Sequence, residues 1–480
     1  MTSMPHDRVA FHRAIWRWHF WAGLLVLPIL LMLSLTGAIY LFNDELNDAI
    51  YPEQRLVVPR AGHVPVSHMI QAALVAYPGT ASRVDMPGRA DRSAVVFVNP
   101  DQGPPRRVAV DPGTGRVLGS VVYDRTLVGW ADAMHRSMLM GVFGERLVEL
   151  AACWALVLLA TGVILWWPRG GWRASGTLWP RLSGRGRRFW RDLHGPVGLW
   201  TGGVIGFLVL TGLPWAGVTG PLLHRVSGAL GVGYPTSYRQ YNIPHSLPAK
   251  VALGSAPWTL EDAPLPQSHR PGSDMAAHGH AAMPPDEHAE HRAHGPGSPG
   301  ATRDPAVIRG TDQVNRITAG LGWTNGYRLF LPGGPTGVYT AFTYPDRPQG
   351  QRTIYVDRYT LRPIGPEVRF ADYGAVGRAV EWGVQVHMGN YFGRANQVLM
   401  LFACIGVWLL AISGVAMWWK RRPAGGVGAP PPLSGGRVGG LIVALVILAL
   451  VLPLFGASLL VVAALDRGLA LATRRRTAMA

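Results

Sequence analysis

Four of the sixteen histidines in this chain recur at matched positions. Setting His19 over His194 brings Gly23 onto Gly198 and Thr36-Gly37 onto Thr211-Gly212 without a gap. Setting His135 over His387 brings Gly141 onto Gly393, Thr161-Gly162 onto Ser413-Gly414, and Trp166-Trp167 onto Trp418-Trp419. A single histidine at the end of an apolar helix caps it or reaches for water. Four at matched positions ask for a shared role, because ionisable groups in such helices are costly and are usually functional. Neutral imidazole is a ligand for transition metals and for haem iron, and its second ring nitrogen needs a partner that fixes the tautomer. His12 lies two turns before His19 but has no counterpart, and His224 also lacks one; both read as structural, with His224 a reserve ligand.

The elements that must position these residues are membrane helices. The composition is 48% hydrophobic and 15% charged. The apolar residues are concentrated in runs at Trp18–Phe42, Leu147–Trp167, Val197–Val218 and Val398–Trp419. Each is long enough to cross about 30 Å of hydrocarbon at about 1.5 Å per residue. A fifth run, Gly440–Leu465, is interrupted by Pro453. The net charge of +17 is placed by topology. Arg8, Arg13 and Arg17 precede the first span, and Arg169, Arg173, Arg181, Arg185, Arg187, Arg188 and Arg191 fill the loop after the second. Lys420, Arg421 and Arg422 follow the fourth, while Asp44, Glu45 and Asp48 follow the first. This alternation predicts a cytoplasmic N-terminus, and no nucleic-acid partner is needed to explain the basic excess. The first span is too long for a signal-peptide core and lacks a small-residue cleavage site, so it reads as an uncleaved anchor. Cys153 and Cys404 lie inside spans and read as inert thiols.

The segments between spans repeat as well. Arg107–Gly119 and Thr353–Gly365 each carry an alternating stretch, an Asp-led turn and a second short alternating stretch, the pattern of a hairpin. Val66–Tyr77 ahead of the first has helical periodicity. The fold class that follows is a mainly α membrane protein: an internally duplicated four-helix transmembrane bundle plus a fifth span, with two small α+β periplasmic domains. The boundaries are 1–43 for the N-terminus and first span, 44–130 for the first domain, 131–168 for the second span and its lead-in, and 169–193 for the basic loop. They continue as 194–222 for the third span, 223–380 for the second domain, 381–420 for the fourth span, 421–438 for a linker, 439–466 for the fifth span and 467–480 for the tail. Residues 245–305 match nothing in the first half and read as a disordered insertion rich in Pro, Gly, Ala and His.

In an up-down bundle the first and third spans are diagonal, as are the second and fourth. His19 and His194 then meet at the cytoplasmic side, and His135 and His387 at the periplasmic side. Each pair can supply both axial ligands of a flat macrocycle, which predicts two b-type haems. The glycines Gly23, Gly37, Gly198, Gly202, Gly203, Gly206 and Gly212 either leave room for that ring or let the helices pack closely. His135 and His387 stand twelve and eleven residues before their apolar cores. Straight helices would carry them roughly 17 Å past the hydrocarbon edge, so Gly141 and Gly393 are expected to bend the lead-in segments back.

The insertion holds His278, His280, His288, His291 and His294 beside Met275, Met283, Asp286, Glu287 and Glu290. Imidazole with carboxylate suits Cu(II), Ni(II) or Zn(II), and thioether suits Cu(I). The tract reads equally as a metal-binding arm and as a linker with no ligand role.

With these residues in view, the chain resembles the PepSY-associated transmembrane family over nearly all its length. The resemblance rests on His19-x3-Gly23 with Thr36-Gly37, Val110-Asp-Pro-Gly-Thr-Gly-Arg-Val117, Leu165-Trp-Trp-Pro168, and the Pro453-Leu-Phe-Gly-Ala-Ser-Leu459 run. It implies PepSY-like periplasmic domains and a place in the bacterial inner membrane. It also implies an oxidoreductase that reduces ferric siderophores or another metal chelate, while the electron donor stays open between a quinol and a cytoplasmic reductant. No acid-base constellation stands out, in keeping with outer-sphere electron transfer. The rival readings are a permease or binding protein for a metal chelate, and a copper-handling variant of the reductase. A permease would want polar groups lining the middle of the spans, where the polarity is read as limited to Ser34, Thr36, Thr161, Thr211 and Ser413.

Overall fold

The computed structural model describes residues 6–168, 174–181, 185–235, 248–271, 300–324, 326–423, 439–462 and 464. The chain divides into two compact units, one drawn from Met1–Leu41, Ala131–Leu223 and His387–Ala480, the other from Phe42–Trp130 and His224–Val386.

The first unit is helical. Four helices among the described residues are long and apolar enough to cross a membrane: Phe11–Leu41, Gly141–Trp166, Arg187–Trp215 and Arg394–Trp419, here spans 1 to 4. Span 1 packs on spans 2 and 4, and span 3 packs on the same two. Spans 1 and 3 therefore face each other across the bundle, as do spans 2 and 4. Tryptophans mark the span ends: the Arg422 guanidinium lies 3.4 Å over the Trp419 ring and that of Arg421 3.8 Å over Trp16. The fifth apolar run forms two helical pieces, Gly439–Val451 and Pro453–Val462. They break at Leu452 because Pro453 has no N–H and disfavours a helical residue before it. Neither piece alone has the roughly 20 residues a straight span needs. The second piece packs through Phe455 on Trp154, at 5.1 Å between ring centroids, and Trp154 in turn stacks on Trp18. Cys153 and Cys404 are both free, with Cys153 fully buried.

The lead-ins to spans 2 and 4 are separate helices. Leu127–Ser137 carries His135 in its last turn, and Ala375–His387 ends on its histidine. The chain then turns through left-handed residues. Met138, Leu139 and Gly141 have φ of 51°, 57° and 57°, and Gly389 and Gly393 have φ of 80° and 61°. These turns return the histidines alongside the bundle, as expected at Gly141 and Gly393. They also use Met138, Leu139 and Gly389, which sequence reasoning did not single out.

The second unit differs from the two small domains expected. Its strands β1 (Gly79–Met86), β2 (Ala94–Pro100), β3 (Arg106–Val110), β4 (Val117–Val121), β5 (Tyr327–Phe330), β6 (Val338–Thr343), β7 (Arg352–Asp357) and β8 (Val368–Arg369) form one antiparallel sheet. The order is β4-β3-β2-β1-β5-β6-β7-β8. The seam runs from Arg83 opposite Phe330 to Met86 opposite Tyr327. Pairing there removes two open edges that four-stranded domains would expose. The helices Val66–Ala76 and Pro305–Gly320 pack on each other, and the Ser67 N–H and hydroxyl donate to the Asp312 carboxylate at 2.9 and 2.6 Å. One apolar core, from Ile70, Val84, Val96 and Val108 to Val314, Leu329, Ala341 and Ile354, runs under β1 to β3 and β5 to β7, across the seam. A shared core is larger than either half could bury alone.

Both expected hairpin turns form around their aspartates. Asp111 accepts the Gly113 N–H and the Thr114 hydroxyl at 2.9 and 2.7 Å, and Asp357 accepts the Tyr359 and Thr360 N–H groups at 2.8 and 2.7 Å. Burial works against ionisation of each carboxyl, yet these bonds hold both below the ordinary carboxylate range.

Candidate functional site

The four matched histidines come together in two pairs inside the helical unit. His19 of span 1 and His194 of span 3 face each other with ring centroids 6.4 Å apart and planes at 85°. His135 lies against Thr36 of span 1 and His387 against Thr211 of span 3, at matching positions of these two facing helices. All four residues are half-buried among the surrounding helices.

Each imidazole meets a hydroxyl from a helix other than its own. His19 Nδ1 lies 2.9 Å from Thr161 Oγ1 of span 2, and His194 Nδ1 lies 2.9 Å from Ser413 Oγ of span 4. His135 Nδ1 is 3.1 Å from Thr36 Oγ1 of span 1, and His387 Nδ1 is 2.9 Å from Thr211 Oγ1 of span 3. The hydroxyls also donate to the carbonyl four residues earlier in their helices. Thr36 bonds Met32 at 2.8 Å, Thr161 bonds Val157 at 2.6 Å, Thr211 bonds Phe207 at 2.7 Å and Ser413 bonds Leu409 at 2.6 Å. The glycine after each hydroxyl lies against the ring. A Cβ on Gly37 would stand 3.2 Å from His135 Cε1, and on Gly162, Gly212 and Gly414 it would stand 3.4 to 3.7 Å from the facing Cε1.

Thr36 and Thr211 each follow a histidine by seventeen residues, from His19 and His194. At helical rise the two sites are about 25 Å apart along the bundle, inside one hydrocarbon thickness of about 30 Å. His135 touching Thr36 within span 1 removes the overshoot that straight lead-ins would have given.

A family model described as PepSY-associated TM region matches residues 16–421. The chain belongs to the PepSY-associated transmembrane family. No curated protein matches it with statistical significance. The part that makes it a PepSY-associated protein thus takes in all four histidines and all four hydroxyls and ends before the fifth apolar run.

In this PepSY-associated chain His224 is engaged elsewhere. It belongs to the sheet unit, stacks on Trp258 at 3.9 Å, and faces Glu261 and Asp262 at 3.7 and 3.5 Å. His278, His280, His288, His291 and His294 lie outside the described residues. Among the described residues no group of three or more His, Cys, Asp or Glu could hold a metal ion, so the helical site is one of imidazole pairs. Sequence reasoning overlooked Glu149. Its carboxylate, buried in span 2, accepts the Val218 and Thr219 N–H groups, both at 2.9 Å, and the Thr219 hydroxyl at 2.6 Å. It caps the helix Thr219–Ala229. The glycines turn out mixed: Gly23, Gly198, Gly202 and Gly206 face leucine side chains, and Gly203 faces open space.

Proposed function

We propose that this protein is an inner-membrane oxidoreductase that binds two b-type haems and reduces a periplasmic ferric chelate, such as siderophore-bound iron. His19 with His194 would hold one haem, and His135 with His387 the other. The observation that carries the reading is the separation of His19 and His194. Two metal–imidazole bonds of about 2 Å each, with the distance from nitrogen to centre in each ring, account for most of the 6.4 Å between centroids. The near-perpendicular planes are compatible with a ring lying between them. Haem bound there supplies a one-electron carrier whose potential is set by its ligands and their hydrogen bonds.

The residues of the chain do the holding and the insulating. The hydroxyl partners orient the imidazoles, and the apolar faces of the spans keep water and bulk ions from the pairs. Sidedness is supported by charge. Arg13 and Arg17 lie in the first turns of span 1, Arg187, Arg188 and Arg191 in the first turns of span 3 with Arg185 just before it, and Lys420 to Arg422 follow span 4. On this reading the His19/His194 end faces the cytoplasm and draws on a quinol or a soluble reductant. The His135/His387 end faces the periplasm, where one electron converts chelated Fe(III) to weakly held Fe(II). The experiment is single-turnover mixing of dithionite-reduced protein with a ferric chelate. The wild type is expected to transfer electrons and His387→Ala to fail, while His19→Ala still transfers because dithionite bypasses the inner site. Transfer by His387→Ala at the wild-type rate would remove the proposed exit site.

A further inference from the structure

We propose that Thr36, Thr161, Thr211 and Ser413 are positioning residues that lock all four imidazoles in the Nδ1–H tautomer and so present the Nε2 lone pairs as ligand atoms. The inference rests on the haem reading above and adds to it the group that decides which nitrogen binds. A hydroxyl has one proton and two lone pairs. In all four cases the proton is donated to the carbonyl four residues earlier, at 2.6 to 2.8 Å. What the oxygen turns toward the ring is therefore an acceptor, and Nδ1 at 2.9 to 3.1 Å must be the donor. With Nδ1 protonated, the neutral ring keeps its only lone pair on Nε2.

The chain itself separates hydroxyl from methyl. Three positions carry Thr and the fourth carries Ser at the same place in the repeat, so the oxygen is the common element. Back-bonding of Ser or Thr to the preceding turn is common in helices. Here these four residues each also face a histidine from another helix, across sequence separations of 99 to 219 residues. The support is also crossed. Span 1 carries His19 and holds His135, while span 2 follows His135 and holds His19; spans 3 and 4 do the same for His194 and His387.

The test compares Thr161→Val, Thr36→Val and Thr161→Ser in the full-length protein, reading haem retained per chain and the midpoint potential of each haem. An acceptor on Nδ1–H makes the imidazole a more basic ligand, and loss of such a partner typically weakens metal binding 10- to 100-fold. Thr161→Val is expected to loosen the haem at His19/His194 by about that factor and to raise its midpoint potential. The haem at His135/His387 should be unchanged, which also shows that the bundle has folded. Thr36→Val is expected to give the mirror result, and Thr161→Ser to keep wild-type values. Unaltered affinity and potential in both Val variants would overturn the proposal. So would loss of both haems from either one, or a Ser variant that behaves like Val. A wild-type protein without haem would instead overturn the reading on which the proposal rests.

Discussion

An imidazole in a bilayer is useful as a ligand only if one nitrogen is committed elsewhere, and in this chain each of the four is tied to a hydroxyl. Removing a ring should then remove one haem and leave the other. His19→Ala and His387→Ala are each expected to halve the haem per chain, measured by extraction and absorbance. His224→Ala should leave it unchanged, because His224 is spent on Trp258, Glu261 and Asp262. The four histidines stood out in the sequence because they recur in register. The Thr-Gly and Ser-Gly pairs were visible too, but only as markers of the repeat, since a contact such as His194 to Ser413 spans 219 residues and has no local signature. The aspartates at the hairpin turns carry a pH dependence. Their folded pKa values lie below the ordinary one of about 3.9. The stability they add is thus fully present above that value and is lost as pH falls through the folded pKa. Thermal unfolding of the sheet unit should be insensitive to these groups from pH 7 to 5 and drop below about pH 4. Asp111→Asn should flatten that drop, and an unchanged acid profile would count against the assignment.

At the scale of elements, the decisive pieces are the turns that connect each lead-in helix to its span. Gly389 has φ of 80°, and a Cβ there would collide with Leu41 Cδ1. Gly389→Val adds the strain of a left-handed β-branched residue, about 1–2 kcal/mol before the clash. It is expected to displace His387 and cost the haem at His135/His387 alone, read as a loss of half the haem. Glu149→Ala is expected to destabilise the bundle by about 1–3 kcal/mol for each N–H left without its acceptor, seen as a lower unfolding temperature in detergent. The spans and the two hairpins could be read from hydropathy and from period-two alternation. The turn at Met138 and Leu139 could not, because neither residue is one that a left-handed conformation ordinarily selects. Nor could the capping by Glu149, an acid whose partners lie at Val218 and Thr219.

At the scale of the whole chain, the expectation of two small domains gave way to one eight-stranded sheet. Its seam pairs Arg83 with Phe330, a contact no local pattern encodes. Membership of the PepSY-associated family, resting on residues 16–421, covers both halves of that sheet and all four histidines. The His-rich tract matches nothing in the other half. Excising residues 275–294 is expected to leave haem content and chelate reduction intact while weakening binding of divalent metal; loss of haem on excision would make the tract a ligand segment. The central claim is that two histidine pairs hold two haems, and it is tested most directly by the haem-to-protein ratio and the reduced-minus-oxidised spectrum of protein purified from haem-replete cells. The expected result is two low-spin, bis-histidine b-type haems per chain. A colourless protein, or a high-spin five-coordinate signal at both sites, would contradict it.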